Sequence, residues 1–337
     1  MTGKERVRAA VAGQPVDHLP LMPITMMFAA DTAGISYREY ASNGESLARA
    51  HLLTAERYGF DYVSAISDPA REASDLGAAV EWFDDQPPAI IESEALLGDK
   101  AKLMELRLPD LDAPGRMRDR IRAVGILAEA AGAERMVEGW VEGPAALSAD
   151  LRGLNTLMLD YYDDPEFVEQ LTEFVLNMEI AFARAQVEAG ATLIGIGDAA
   201  ASLIGPRFYE QFVFAGECRL VRAIHEMGAL ARLHICGNTR RILKGMGQTG
   251  ADIVDLDFLS PIHEGRAAMG DRQVLLGNID PVRALRDGTP ESITAAVAEC
   301  HRQAGPRFIV GAGCEVPRGT PPEKLMAMAR YAREHGE

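Results

Sequence analysis

The chain has 337 residues, of which 34 are basic and 50 acidic, for a formal net charge of −16. Hydrophobic residues make up 47% and charged residues 25%, the balance of a globular protein with a large core. Only five of the basic residues are lysines, and they are scattered, so no basic cluster is available for nucleic acid or for an anionic membrane surface.

Four cysteines (Cys218, Cys236, Cys300 and Cys314) are too few for a disulfide scaffold. The first residues are charged from Lys4 and lack the apolar core of a secretory signal. Residues 19–30 are the most apolar early stretch, but they are short and hold two prolines, so they cannot span a bilayer. A cytoplasmic location with reduced cysteines is expected, which leaves the thiols free to act as ligands or nucleophiles.

The chain opens on a short helix, with Thr2 and Glu5 in a capping-box pattern and Gly13 where it would end. Eight short apolar runs follow, at 19–25, 60–67, 135–142, 191–197, 229–236, 252–256, 273–279 and 306–311. Each has the length of a buried strand. Helical patterns separate them. Within 165–188 an apolar stripe runs through Phe167, Val168, Leu171, Phe174, Val175, Met178 and Phe182 and stops at Gly190. The segments 206–227, 289–304 and 321–335 read the same way. Between the second and third runs, 78–83 and 88–92 flank Asp84, Asp85 and Gln86 and read as a β-hairpin. Alternating strands and helices predict an α/β fold: a (β/α)8 TIM barrel with an N-terminal helix and a hairpin inserted after strand 2. No linker composition divides the chain, so one domain over 1–337 is expected.

In such a barrel, chemistry sits at the C-terminal ends of the strands. Those ends carry Asp68, Glu142, Asp198, His234 to Asn238, Asp255 and Asp257, Asn278 and Asp280, and Cys314-Glu315. Met22, Met26 and Met27 lie near the end of the first run and read either as pocket lining or, as methionines more often do, as packing. His234-x-Cys236 puts imidazole and thiol on one side of a strand. Cys314, and then Asp257, would complete a zinc-type donor set. A histidine and a cysteine on a strand are more often packing residues, so spacing alone leaves both readings open. Cys218 and Cys300 fall within helical segments and read as structural.

The segments HICGN (234–238), LDF (256–258), GNIDP (277–281) and GAGCEVP (311–317) resemble the uroporphyrinogen decarboxylase superfamily, specifically its zinc-dependent cobamide methyltransferase branch. The resemblance runs from end to end. It implies zinc on His234, Cys236 and Cys314, with Asp257 able to complete the shell. It implies methyl transfer between a corrinoid and a small thiol, methyl ether or methylamine. Asp68 and Asp198 are then expected to act on protons, and Glu142, Asn238, Asn278 and Met26 to line the substrate space. No Asp-x-His-x-x-Gly motif for ligating cobalt is found, so the corrinoid (cobalamin) would arrive on a separate protein. Relatives of the decarboxylase type also imply a homodimer. The alternative activity, tetrapyrrole decarboxylation, fits less well. Ser67-Asp68 resembles the decarboxylase aspartate region, but 20–34, where decarboxylases hold carboxylate-binding arginines, contains none. A zinc-stabilised scaffold without catalysis is a third reading.

Overall fold

The computed structural model describes residues 1–336. The first helix, Gly3–Ala12, is fixed at both ends as its sequence predicts. Thr2 Oγ1 accepts from the Glu5 amide, Glu5 Oε2 accepts from the Thr2 amide, and Gly13 takes the left-handed conformation at φ 66°.

Seven parallel strands follow the expected runs: β1 (Tyr62–Ser64), β4 (Met136–Glu142), β5 (Leu193–Gly197), β6 (Leu230–Ile235), β7 (Ile253–Leu256), β8 (Val274–Leu276) and β9 (Phe308–Ile309). They lie in the order β1-β4-β5-β6-β7-β8-β9. Two further strands, β2 (Val80–Glu81) and β3 (Ala89–Ile90), form the antiparallel hairpin after β1, pairing Val80 with Ile90 and Glu81 with Ala89.

The first run differs from expectation. Residues 19–25 make one parallel bridge, Leu21 with Val310, rather than a full strand. Met22 N donates to Val310 O at 2.9 Å, Val310 N to Pro20 O at 2.8 Å, and Asp61 N to Leu21 O at 3.2 Å. The segment therefore sits between β9 and β1 and closes the barrel. Pro20 and Pro23 lack amide protons, so a regular ladder cannot extend past them. Asp61 reinforces the seam: its carboxylate accepts the Leu21 amide at 2.7 Å and pairs with buried Arg6.

The helix expected at 206–227 is also broken. A short turn Gly205–Phe208 leads through a wider π turn, Tyr209–Val213, into the helix Phe214–Glu226. Tyr209 donates from there to buried Glu217 at 2.5 Å. Among the described residues, no helix is long and apolar enough to cross a membrane.

Inside the barrel, one layer is polar. Arg232 on β6 is fully buried, 3.1 Å from Glu138 on β4 and 2.5 Å from Asp255 on β7. Its guanidinium also faces the rings of Tyr62 and Trp140. Burial alone would lower its pKa, but Asp255 and Glu138 outweigh that and raise it, so the arginine stays charged. This layer is the floor on which the rim residues stand.

Candidate metal centre and cavity

The side chains alternate along each strand, so Glu138, Trp140 and Glu142 share one face of β4, and Arg232 and His234 share one face of β6. One layer above Arg232, His234 is buried. Its Nδ1 lies 3.2 Å from both the carboxylate and the backbone carbonyl of Asp255. A proton held on Nδ1 leaves Nε2 as the free donor atom. Nε2 stands 3.0 Å from Cys236 Sγ, which stands 3.7 Å from Cys314 Sγ. The three ligand atoms lie within 4.8 Å of one another. The cysteines come from the ends of β6 and β9, which the barrel mouth brings together.

Two thiolates on one tetrahedral zinc, each at about 2.3 Å, stand about 3.8 Å apart. The observed sulfur separation fits that edge and is far too long for a disulfide. Without a metal the cluster shares protons. The hydrogen bond from Cys236 and the nearby His234 pull Cys314 toward thiolate. Giving that hydrogen bond, together with burial, pushes Cys236 toward thiol.

The cluster forms one wall of a cavity of about 140 Å³. Ile24, Met26, Ile66, Pro69 and Trp140 form its apolar walls, and Asp68, Glu142 and Glu315 are its acids. Gly195 and Gly197 on β5 make room for the indole: a Cβ at Gly195 would fall 2.2 Å from the Trp140 ring. Asp68 is held by Arg116, which stacks 4.8 Å from the centre of the Trp82 ring just past β2. The hairpin thus orients an acid of the cavity. Glu315 accepts the Met27 amide at 2.6 Å, and burial lifts its pKa to about 7 despite that bond.

The sequence-derived residues divide into two groups. His234, Cys236, Cys314, Asp68, Glu142 and Met26 meet at this cavity. The other four do not line it. Both oxygens of Asp257 accept backbone amides, Gly237 and Leu259, at 2.8 Å, so its carboxylate holds the loops beside the cluster. Asp198 lies behind the wall and accepts the Ala146 amide at the start of the helix Pro144–Arg152. Burial raises its pKa, and Glu217 is its neighbour. Asn278 donates to the carbonyls of Asp257 and Ser260 and ties two loops together. Asn238 is exposed and caps a turn at the Arg240 amide. Cys218 and Cys300 lie in the helices Phe214–Glu226 and Pro290–Ala304, apart from the three-residue cluster.

Sequence reasoning missed Trp140, Arg116 and the cavity role of Glu315. Trp140 was detectable, because it alternates with Glu138 and Glu142 on an inward face. Arg116 lies 48 residues from Asp68, and no local pattern joins them.

The uroporphyrinogen decarboxylase (URO-D) family profile matches residues 2–335. The chain belongs to the uroporphyrinogen decarboxylase family. Within that family it is 31% identical to a methylcobamide:CoM methyltransferase of Methanosarcina mazei, over 99% of this chain and 98% of that one. It is 26% identical to a uroporphyrinogen decarboxylase of Streptomyces coelicolor, over 88% of this chain and 83% of the relative. A solved methyltransferase structure from Methanosarcina mazei superposes with a TM-score of 0.85 over 99% of both chains, at 24% identity. That likeness establishes the (β/α)8 barrel fold of this family member.

Proposed function

We propose that this family member is a zinc-dependent methyltransferase that moves a methyl group between a small substrate and a corrinoid carried on a separate protein. In this reading residues 1–337 form one barrel domain. The observation that carries it is the convergence of His234 Nε2, Cys236 Sγ and Cys314 Sγ on one wall of a mouth cavity. The similarity to methylcobamide:CoM methyltransferases supports it.

Zinc bound there would supply a Lewis acid that holds a substrate thiol as thiolate or polarises the atom bearing a methyl group. The chain's own residues do the rest. Asp255 fixes the His234 ring, and Arg232 fixes Asp255. Trp140, Ile24, Ile66 and Met26 exclude water. Glu315 titrates near neutrality beside Cys314 and is the group best placed to accept a substrate proton. Asp68 is held in place by Arg116 and orients the substrate. Cys236 and Cys314 give three donors with His234, which leaves a fourth position for substrate.

The decarboxylase alternative loses ground on one observation. The end of the first run and the residue after it contribute Ile24 and Met26 to the cavity, and neither can pair with a carboxylate.

Metal analysis joined to a methyl-transfer assay tests the proposal. Purified protein is expected to hold about one zinc per chain, and Cys236→Ala/Cys314→Ala none. Methylcobalamin should be demethylated by a thiol in the presence of the unaltered protein only. Protein free of metal under reducing conditions, or equally active in the double variant, would overturn the reading.

A further inference from the structure

The cavity at the His234, Cys236 and Cys314 cluster adjoins a second, of about 470 Å³, with Pro69, Glu142 and Ala199 common to both walls. Most of its lining is apolar, including Ala146, Ala149 and Leu203. Its polar side chains are acids. Glu142 is 5% exposed, accepts no hydrogen bond, and meets no cation closer than Arg71 at 3.7 Å. Asp150 Oδ2 is sealed from solvent and has no hydrogen-bond partner.

Behind this wall the charge does not balance. Arg71 is the one cation facing Glu142, and it is already paired with Glu72 at 2.5 Å. Glu179 is fully buried close by, and neither of its oxygens has a partner. Three carboxyl groups (Glu72, Glu142 and Glu179) thus share one guanidinium, and Asp150 has Glu72 and Asp68 as its charged neighbours and no cation among the described residues. Among the described residues lining either cavity there is no lysine or arginine. A buried carboxylate without a partner is costly, and a cation arriving in the chamber would remove that cost. An anionic tail would add to it.

We infer that the second cavity binds a small organic ammonium ion, its nitrogen at Glu142 and Asp150 and its carbon atoms against the alanine wall. This rests on the methyltransfer reading and narrows its substrate class to amine-bearing molecules. Two sources supply that chemistry: a methylated amine acting as methyl donor, or an amine-tailed thiol acting as acceptor. Alanine walls suit methyl and methylene groups, and the acids supply both the charge and the hydrogen-bond acceptors.

Calorimetric titration of the zinc-loaded protein at constant ionic strength tests the inference. The probes are trimethylammonium chloride, cysteamine, 2-mercaptoethanol and 2-mercaptoethanesulfonate. The three thiols share a metal-binding sulfur on a two-carbon arm and carry a cationic, a neutral and an anionic tail group. Cysteamine, trimethylammonium or both should bind at least about tenfold more tightly than the neutral and anionic thiols, the size of one charge-assisted contact. Glu142→Gln and Asp150→Asn should each remove about that factor for the cations and leave 2-mercaptoethanol unchanged. Which cation binds identifies the source. Equal affinity of all three thiols, or tightest binding of the sulfonate, overturns the ammonium pocket while leaving thiol binding at the metal intact. Binding of trimethylammonium that depends on Glu142, with no thiol bound, keeps the pocket and overturns the thiol reading instead. Should either variant fail to melt cooperatively, the ranking of the probes on the unaltered protein decides alone.

Discussion

Asp255 decides what His234 can do. Its carboxylate and its backbone carbonyl both face Nδ1, and Arg232 pins it from the other side. Asp255→Asn keeps the shape but removes the charge that fixes the imidazole, so metal affinity should fall by about 10- to 100-fold. Competition with a chromophoric chelator measures this, and unchanged affinity would deny Asp255 that role. Arg232→Met is a different kind of change, because it leaves Glu138 and Asp255 buried without their cation. Stability should drop by about 3–5 kcal/mol, read from urea unfolding; a loss under about 1 kcal/mol would show that the two acids find other partners. At this scale the sequence was most legible for the donor set. The i, i+2 spacing of His234 and Cys236 and a second thiol at a strand end left metal and packing both open, and the family motifs pointed to the three residues whose ligand atoms the structure brings within 4.8 Å. It was least legible for polar side chains whose partners are backbone groups. Asp257, Asp198 and Asn278 occupy the rim positions expected of site residues, and the structure ties both Asp257 oxygens, one Asp198 oxygen and the Asn278 amide nitrogen to backbone groups that only the folded loops bring near.

Elements place these residues by leaving space as much as by filling it. Gly195 and Gly197 on β5 lie flat under Trp140 of β4. Gly195→Ala would push a methyl group into the indole, driving the ring toward the cavity, and should cost about 1–3 kcal/mol. A shift in tryptophan emission and weaker ligand binding should accompany that loss. The helix Gly44–Tyr58 carries another testable group. Tyr40 donates its hydroxyl to Ile66 O, so at the 2.7 Å contact His51 Nε2 must be the donor to Tyr40. Burial, aided by Arg120, lowers the His51 pKa to about 3. The folded state therefore keeps His51 neutral where the unfolded chain, with a pKa near 6.5, takes up a proton. Its contribution is whole above pH 6.5 and is lost as pH falls toward 3, at about 1.4 kcal/mol per unit. Between pH 6.5 and 5 the wild type should lose about 2 kcal/mol more than His51→Gln, and parallel pH profiles would refute this. The elements themselves were largely readable, because buried strands and amphipathic helices leave different periods in the sequence. Two departures were local. Prolines at 20 and 23 reduced the first strand to a bridge, and the π turn at Tyr209–Val213 broke a helix whose apolar pattern continues through it.

Across the whole molecule, the −16 charge is not only a surface property. Among the described residues, eleven aspartates and glutamates are buried against five arginines. The interior thus carries excess acid that protons or bound cations must offset, and the proposed metal would add positive charge at the mouth where Asp68, Glu142 and Glu315 gather. The barrel has its own closure: Leu21, Val310 and Asp61 form the seam between β9 and β1, and the polar floor of Arg232, Glu138 and Asp255 lies beneath the cluster. The proposed metal would instead join β6 to the segment after β9, two points on the rim that are not sheet neighbours. Removing it should loosen the mouth without unfolding the core. Zinc at about a thousand times its Kd would contribute about 4 kcal/mol. With an unfolding entropy of about 2 cal/mol/K per residue, chelation should lower the Tm by about 6 °C. The melt should stay cooperative, with far-ultraviolet circular dichroism unchanged at room temperature. Unfolding on chelation would make the metal part of the barrel's foundation, and an unmoved Tm would mean that no metal had joined the two sides of the rim.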